Sequence, residues 1–250
     1  MPKNSVPKKS LPKKNAPEKP VASSAEKTLG SYRITNAEVE ARIVRFDQLV
    51  GNGIPLMFID SALPGHQRMN YAVIGDTASE NTDFQAAITA PHKFQIGMLC
   101  CPPNSGPAYH NHDYCELFFV MSGRWRFYWG NDPEGAPEGE AILEPWDSIS
   151  LPMHVWRGFE NISDAPAWCF AVLDPHDVYR SKDPYWSERI VKEAAQLGFQ
   201  ADSSGRMVKP EDYAQRKAKL GAKLEKAVRK SLKARPKSKS LKARVTKKKN

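Results

Sequence analysis

Between residues 55 and 175 the apolar positions come in short runs, each closed by Pro, Gly, Asn or Asp. PLMFID, MNYAVIG, HKFQIGMLCC, YCELFFVMSG, WRFYWG, AILEPWDSISLP, VWRGFEN and APAWCFAVL follow one another in order. Runs of this length at a spacing of roughly 8–12 residues predict strands of an antiparallel sandwich or barrel. Helical periodicity appears only at the flanks. Thr35 with Glu38 forms a capping box, and Val39, Ile43, Phe46 and Leu49 follow at helical spacing until Gly51, Gly53 and Pro55. Asp183-Pro184 opens a second predicted helix through PYWSERIVKEAAQL, with Ile190, Val191, Ala194 and Leu197 on one side and Gly198 at its end. Leu220, Leu224, Val228 and Leu232 recur every four residues and predict a basic amphipathic helix over 211–234, ended by Pro236. The fold class is therefore mainly β, with a few flanking helices.

The charge distribution divides the chain into three. The formal net charge over 250 residues is +9. Residues 1–29, a Lys/Pro-rich tail with almost nothing to bury, hold seven Lys against two Glu. Residues 205–250 hold eighteen Lys+Arg against three acids, whereas 30–204 hold twelve against twenty-three. An acidic domain over 30–204, with its barrel at about 55–175, thus sits between two basic tails. Its surface is a poor phosphate track, and any nucleic-acid contact belongs to the tails. The C-terminal tail reads as a solubilising or loosely docked segment, as an attachment to nucleic acid or an acidic membrane surface, or as a helix docking on the acidic domain. No apolar run is long enough to span a membrane, and no apolar segment follows the basic N-terminus. Cys100, Cys101, Cys115 and Cys169 show no C-x-x-C spacing and read as reduced thiols of a cytoplasmic protein.

The candidate chemistry lies in PAYHNHDYCELFFVMSG, residues 107–123. His110, His112 and Glu116 share parity, so on an extended strand they project from one face. Imidazole and carboxylate converging in a dry interior suit a divalent transition metal, and with open positions they suit mononuclear Fe(II). Around them the chain is dense in aromatics. Alternation turns either Trp125, Phe127 and Trp129 or Arg124, Arg126 and Tyr128 inward, not both.

His110, His112, Glu116 and Gly123 carry the spacing H-x-H-x3-E-x6-G, and in this the chain resembles the cupin superfamily. The family's leading Gly would fall at Asn104, and this chain has Gly106 instead. The second cupin motif, G-x5-P-x-G-x2-H-x3-N, aligns from Trp146 with Pro152 and Asn161 in place. Its internal Gly is His154, and its metal-binding His is Arg157. The resemblance implies a single jelly-roll barrel and a metal site of His110, His112 and Glu116. Arg157 has no free lone pair and cannot be a ligand. Three readings stay open: His154 supplies the missing nitrogen, the two His and Glu116 hold iron alone, or the metal is lost and Arg157 anchors an anion.

Within the superfamily the resemblance is to the gentisate and salicylate 1,2-dioxygenases. It implies an Fe(II) enzyme that takes a small aromatic acid and O2, with the substrate carboxylate on Arg157, and a homo-oligomer as for most soluble enzymes. The alternatives are a non-catalytic or regulatory cupin binding an anionic small molecule, and a metal-dependent isomerase or lyase.

Overall fold

The protein was analysed as a computed structural model, which describes residues 34–55, 57–75, 81, 85–89, 92–174, 184–203 and 205–233. The expected tail at 1–29, Asp183, Pro236 and the end of the C-terminal tail lie outside the described residues. Two antiparallel five-stranded sheets form the body. One has the order β1 (Met69–Ile74), β2 (Gln95–Cys101), β9 (Ala167–Asp174), β4 (Cys115–Val120), β7 (Ser148–Leu151). The other runs β10 (Tyr185–Trp186), β3 (His110–Asn111), β8 (Trp156–Asn161), β5 (Trp125–Gly130), β6 (Gly139–Leu143). Apart from the hairpins β1–β2 and β5–β6, successive strands fall in opposite sheets, the arrangement of a jelly roll.

Alternation decides what fills the space between the sheets. Trp125 and Phe127 of β5 are fully buried with Phe118, Val120, Phe159 and Cys169, so the Trp125 set faces inward and Arg126 lies outside, bonded to Glu140. Gly106 crosses the end of β8 so closely that a Cβ would run into the Phe159 carbonyl. That contact allows the Ser105–Asn161 bridge to pin the segment entering the site.

Three elements differ from the sequence reading. The first predicted helix is two short ones, α1 (Asn36–Glu40) and α2 (Phe46–Val50). The Thr35 capping box forms, but α1 buries nothing. The break lets Phe46 meet Trp168 at 5.2 Å between ring centroids. PLMFID is not a strand, because Phe58–Ala62 form a helix, α3, that packs Phe58, Ile59 and Leu63 among Ile190 and Ala194. A short apolar run cannot declare its own period, and the partner surface decides it. The Pro184 segment pairs as β10, and α4 (Glu188–Gln196) starts later, capped by the Ser187 side chain.

At the C-terminus the structure selects the docked-helix reading. Tyr213–Lys233 form one helix, α5, which buries Leu220, Leu224 and Val228 against Leu49, Met69, Tyr71, Met98, Cys100 and Trp168. Ser231 accepts a hydrogen bond from the Trp168 indole at 2.8 Å. Up to residue 233 the expected tail is therefore a packed layer on the outer face of the first sheet. Its basic residues lie on the opposite, exposed side. No helix among the described residues is long and apolar enough to cross a membrane.

Candidate metal centre

The second sheet carries the histidines and the first carries the carboxylate. His110 lies on β3 between two partners in register, Arg157 on β8 and Trp186 on β10. His112 follows one residue past the strand, and Glu116 sits on β4 between β7 and β9. One ligand atom from each of His110, His112 and Glu116 lies within 4.8 Å of the others, and all three residues are buried. His112 Nε2 is 3.9 Å from Glu116 Oε2. This is the only such cluster of three among the described residues.

Two features prepare the group for a cation. His110 donates its Nδ1–H to the Ala108 carbonyl at 2.7 Å, which leaves the Nε2 lone pair directed away from the backbone. Burial pushes both imidazoles well below the ordinary histidine range, and the neighbouring His112 and Arg157 add to this at His110. Burial, Arg157 and Arg68 act in the same direction at His112. Both rings are therefore neutral donors at neutral pH. Neutral imidazoles beside a carboxylate fit a divalent transition metal.

His154 does not join them. Its side chain is 65% exposed, with Nδ1 facing Asp113 at 3.4 Å. Its backbone explains why. At φ +63 the residue takes the left-handed conformation of a turn, with its N–H on the His112 carbonyl and its C=O accepting from Asn111 Nδ2. The reading in which His154 completes the ligand set is corrected accordingly. Among the described residues, the three non-glycine residues with positive φ are Asn104, Trp146 and His154. These are the positions at which the motif expects glycine, so the backbone turn persists after the glycine is gone.

Arg157 is fully buried and lies under the site. Its Nη2 is 3.4 Å from Glu116 Oε2 and its Nη1 donates to the Val155 carbonyl at 3.1 Å. It holds the Glu116 carboxylate in place and does not line the cavity, so its expected role as substrate-carboxylate anchor does not match its position.

That cavity, of about 80 Å³, opens on His110, His112 and Glu116. Met57, Met98, Leu99, Phe118 and Leu173 make its apolar wall, and Arg68, Asn70, Gln95 and Trp186 its polar one. The motif search missed these polar residues because they lie outside both motifs. Arg68 and Asn70 stand just before and within β1, and a charged residue opening a buried strand was the one available signal. Arg68 is ion-paired with Asp60, whose other oxygen accepts the Ala108 N–H at 2.9 Å.

The cupin domain family matches residues 97–173, which span both halves of this site. No curated protein matches the chain significantly. Solved structures with similarity include a Bacillus halodurans protein at 14% identity, covering 33% of this chain and 63% of that one, TM-score 0.32. A DMSP lyase from Ruegeria pomeroyi has 18% identity, with coverage of 42% and 46% and a TM-score of 0.33. A Cupin 2 conserved barrel domain protein from Salinispora arenicola has 15% identity, with coverage of 52% and 83% and a TM-score of 0.33. The chain spans less than two thirds of the length of the first two. Motif, sheet topology and family match agree: residues 97–173 are a cupin domain.

Proposed function

We propose that this cupin is a mononuclear iron(II) dioxygenase acting on a small organic acid, with a hydroxybenzoate such as a substituted salicylate or a gentisate-like acid as its substrate. The observation that carries the reading is the convergence of two neutral imidazoles and one carboxylate on a buried cavity, with no fourth protein ligand among the described residues. Such a facial set leaves positions for substrate and oxygen. Iron bound there would supply the electron transfer that lets an aromatic acid react with O2. The chain's own contribution is orientation and exclusion of water. Ala108 fixes the His110 tautomer, Arg157 fixes the Glu116 carboxylate, and Met57, Met98, Leu99 and Phe118 keep the cavity wall apolar.

The test is elemental analysis of protein purified anaerobically without chelators, followed by oxygen uptake with gentisate, salicylate and substituted salicylates. Near-stoichiometric iron and substrate-dependent oxygen uptake are expected, and both should be lost in His110→Ala. Protein that refuses Fe(II) on reconstitution would overturn the reading.

One observation favours a second reading. A dry cavity of about 150 Å³ is known to take benzene, and this one is about half that size. An aromatic ring enters only if Met57 or Met98 changes rotamer, which flexible methionines allow. A smaller acid needs no such change, and a metal-dependent lyase or isomerase of that acid would show turnover without oxygen uptake.

A further inference from the structure

Three nitrogens on the cavity wall have no hydrogen-bond partner although each is buried: Arg68 Nε, Asn70 Nδ2 and Trp186 Nε1. All three residues line the cavity that opens on His110, His112 and Glu116. Arg68 is 7% and Asn70 6% exposed, so solvent does not satisfy them. Buried N–H groups are almost always paired, and a cluster of exceptions in one cavity implies an absent acceptor. Every orphan in this cluster is a donor. The missing partner therefore brings oxygen acceptors, and it does so beside a guanidinium.

The charges around the site point the same way. Arg68 is matched by Asp60 and Arg157 by Glu116. The protein groups alone therefore balance, and a divalent cation on His110, His112 and Glu116 would leave two positive charges uncompensated in a buried space. A carboxylate beside the metal ligands would offset one of the two. Asp60 engages one Nη of Arg68 and leaves Nε without a partner. The same carboxylate braces Ala108, whose carbonyl in turn orients His110. Trp186 is the register partner of His110, with ring centroids 5.6 Å apart, so its indole N–H belongs to the immediate surroundings of the metal ligands.

We propose that Arg68, Asn70 and Trp186 form a carboxylate subsite, so that the substrate of the proposed metal centre is a small carboxylate held by three N–H donors. The proposal rests on the metal-enzyme reading for the second half of that statement, but the subsite itself does not need the metal. A carboxylate offers two oxygens with about four acceptor positions, enough for three donors. A phosphate brings four oxygens to three donors, so a carboxylate is the closer match in number.

The experiment is calorimetric titration of metal-stripped protein with acetate and salicylate, with acetamide and salicylamide as neutral counterparts and inorganic phosphate as a rival anion. At least one carboxylate should bind, with its amide weaker by about 10-fold or more, the loss expected when a hydrogen bond to a charged group is removed. Trp186→Phe keeps an aromatic ring in place, Asn70→Leu keeps size, and each removes one donor group. Each should weaken carboxylate binding by about 10-fold and leave Co(II) retention unchanged. Changing Arg68 would strand Asp60 in the interior, so the subsite is judged on the two milder variants. His110→Ala should do the reverse, losing Co(II) and keeping carboxylate binding, which separates failure of the subsite from failure of the metal centre. Amides binding as well as acids, phosphate binding as tightly as carboxylate, or unchanged affinity in both donor variants would overturn the proposal. Binding of acetate without salicylate would support the subsite and restrict the substrate to aliphatic acids.

Discussion

Replacing Trp146 and His154 by glycine should stabilise the protein, although both substitutions delete large side chains. At φ +83 and +63 each residue holds a backbone conformation that a Cβ disfavours, at a cost of about 1–2 kcal/mol. Glycine removes that cost but loses about 0.4–1 kcal/mol through the greater freedom of the unfolded chain. The side chains contribute little in return. Trp146 is 81% exposed and touches the Phe119 ring edge-on at 5.8 Å. The contact of His154 with Asp113 is a surface pair, worth well under ~1 kcal/mol. Each glycine variant should therefore gain a few tenths to about 1 kcal/mol, and the double variant about 1 kcal/mol, or roughly 2–4 °C in Tm for a chain of this size. Differential scanning calorimetry of metal-stripped protein measures this directly. Trp146→Ala and His154→Ala provide the control, because they delete the same side chains and keep the strain. Alanine variants as stable as the glycine variants would refute the backbone argument. Loss of bound metal in His154→Gly would show that His154 is a ligand after all.

Three further outcomes follow from the same structure. Leu224→Ala, which empties a fully buried position between α5 and the first sheet, should cost about 2–5 kcal/mol in denaturant unfolding. A cost below 1 kcal/mol would mean that the helix is only loosely docked. Because His110 and His112 titrate well below their ordinary value in the folded state, the unfolded state binds more protons as pH falls below about 6.5. The stability of metal-stripped protein should therefore decline with falling pH from that point until the folded-state values are passed. Urea unfolding across pH 5–8 should show this slope, and His112→Gln should flatten it. Finally, burial pushes the Cys100 thiol up to about 12 and those of Cys101 and Cys169 well above the usual range. Ellman's reagent at pH 8 should thus titrate only the half-buried Cys115 in native protein and all four thiols after unfolding. Fast reaction of two or more native thiols would contradict the packing.

Much of the site was legible because it obeys strand parity. His110, His112 and Glu116 lie two and four residues apart, so any extended backbone puts them on one face, and burial of the following LFFVM segment turns that face inward. The aromatic strand WRFYWG left two choices, which only packing resolved, because both faces offer rings. The C-terminal stripe of Leu220, Leu224 and Val228 showed a helix plainly. Its partner was invisible, since Met69 and Tyr71 of β1 and Trp168 of β9 come from strands about a hundred residues apart in the chain.

The sequence by itself determined the β-rich body, the candidate metal-binding triad and the turn positions at which a motif glycine is replaced, because these depend on local periodicity and spacing. The tertiary structure decided where His154 and Arg157 point. The turn residue's direction is set by its backbone's hydrogen bonds to the His112 carbonyl and the Asn111 side chain, and the buried guanidinium goes to the nearest carboxylate. It also decided that Arg68, Asn70 and Trp186 share one cavity with the histidines. Those three residues are up to 118 positions apart along the chain, and only the closure of two sheets onto each other brings their donors into one space.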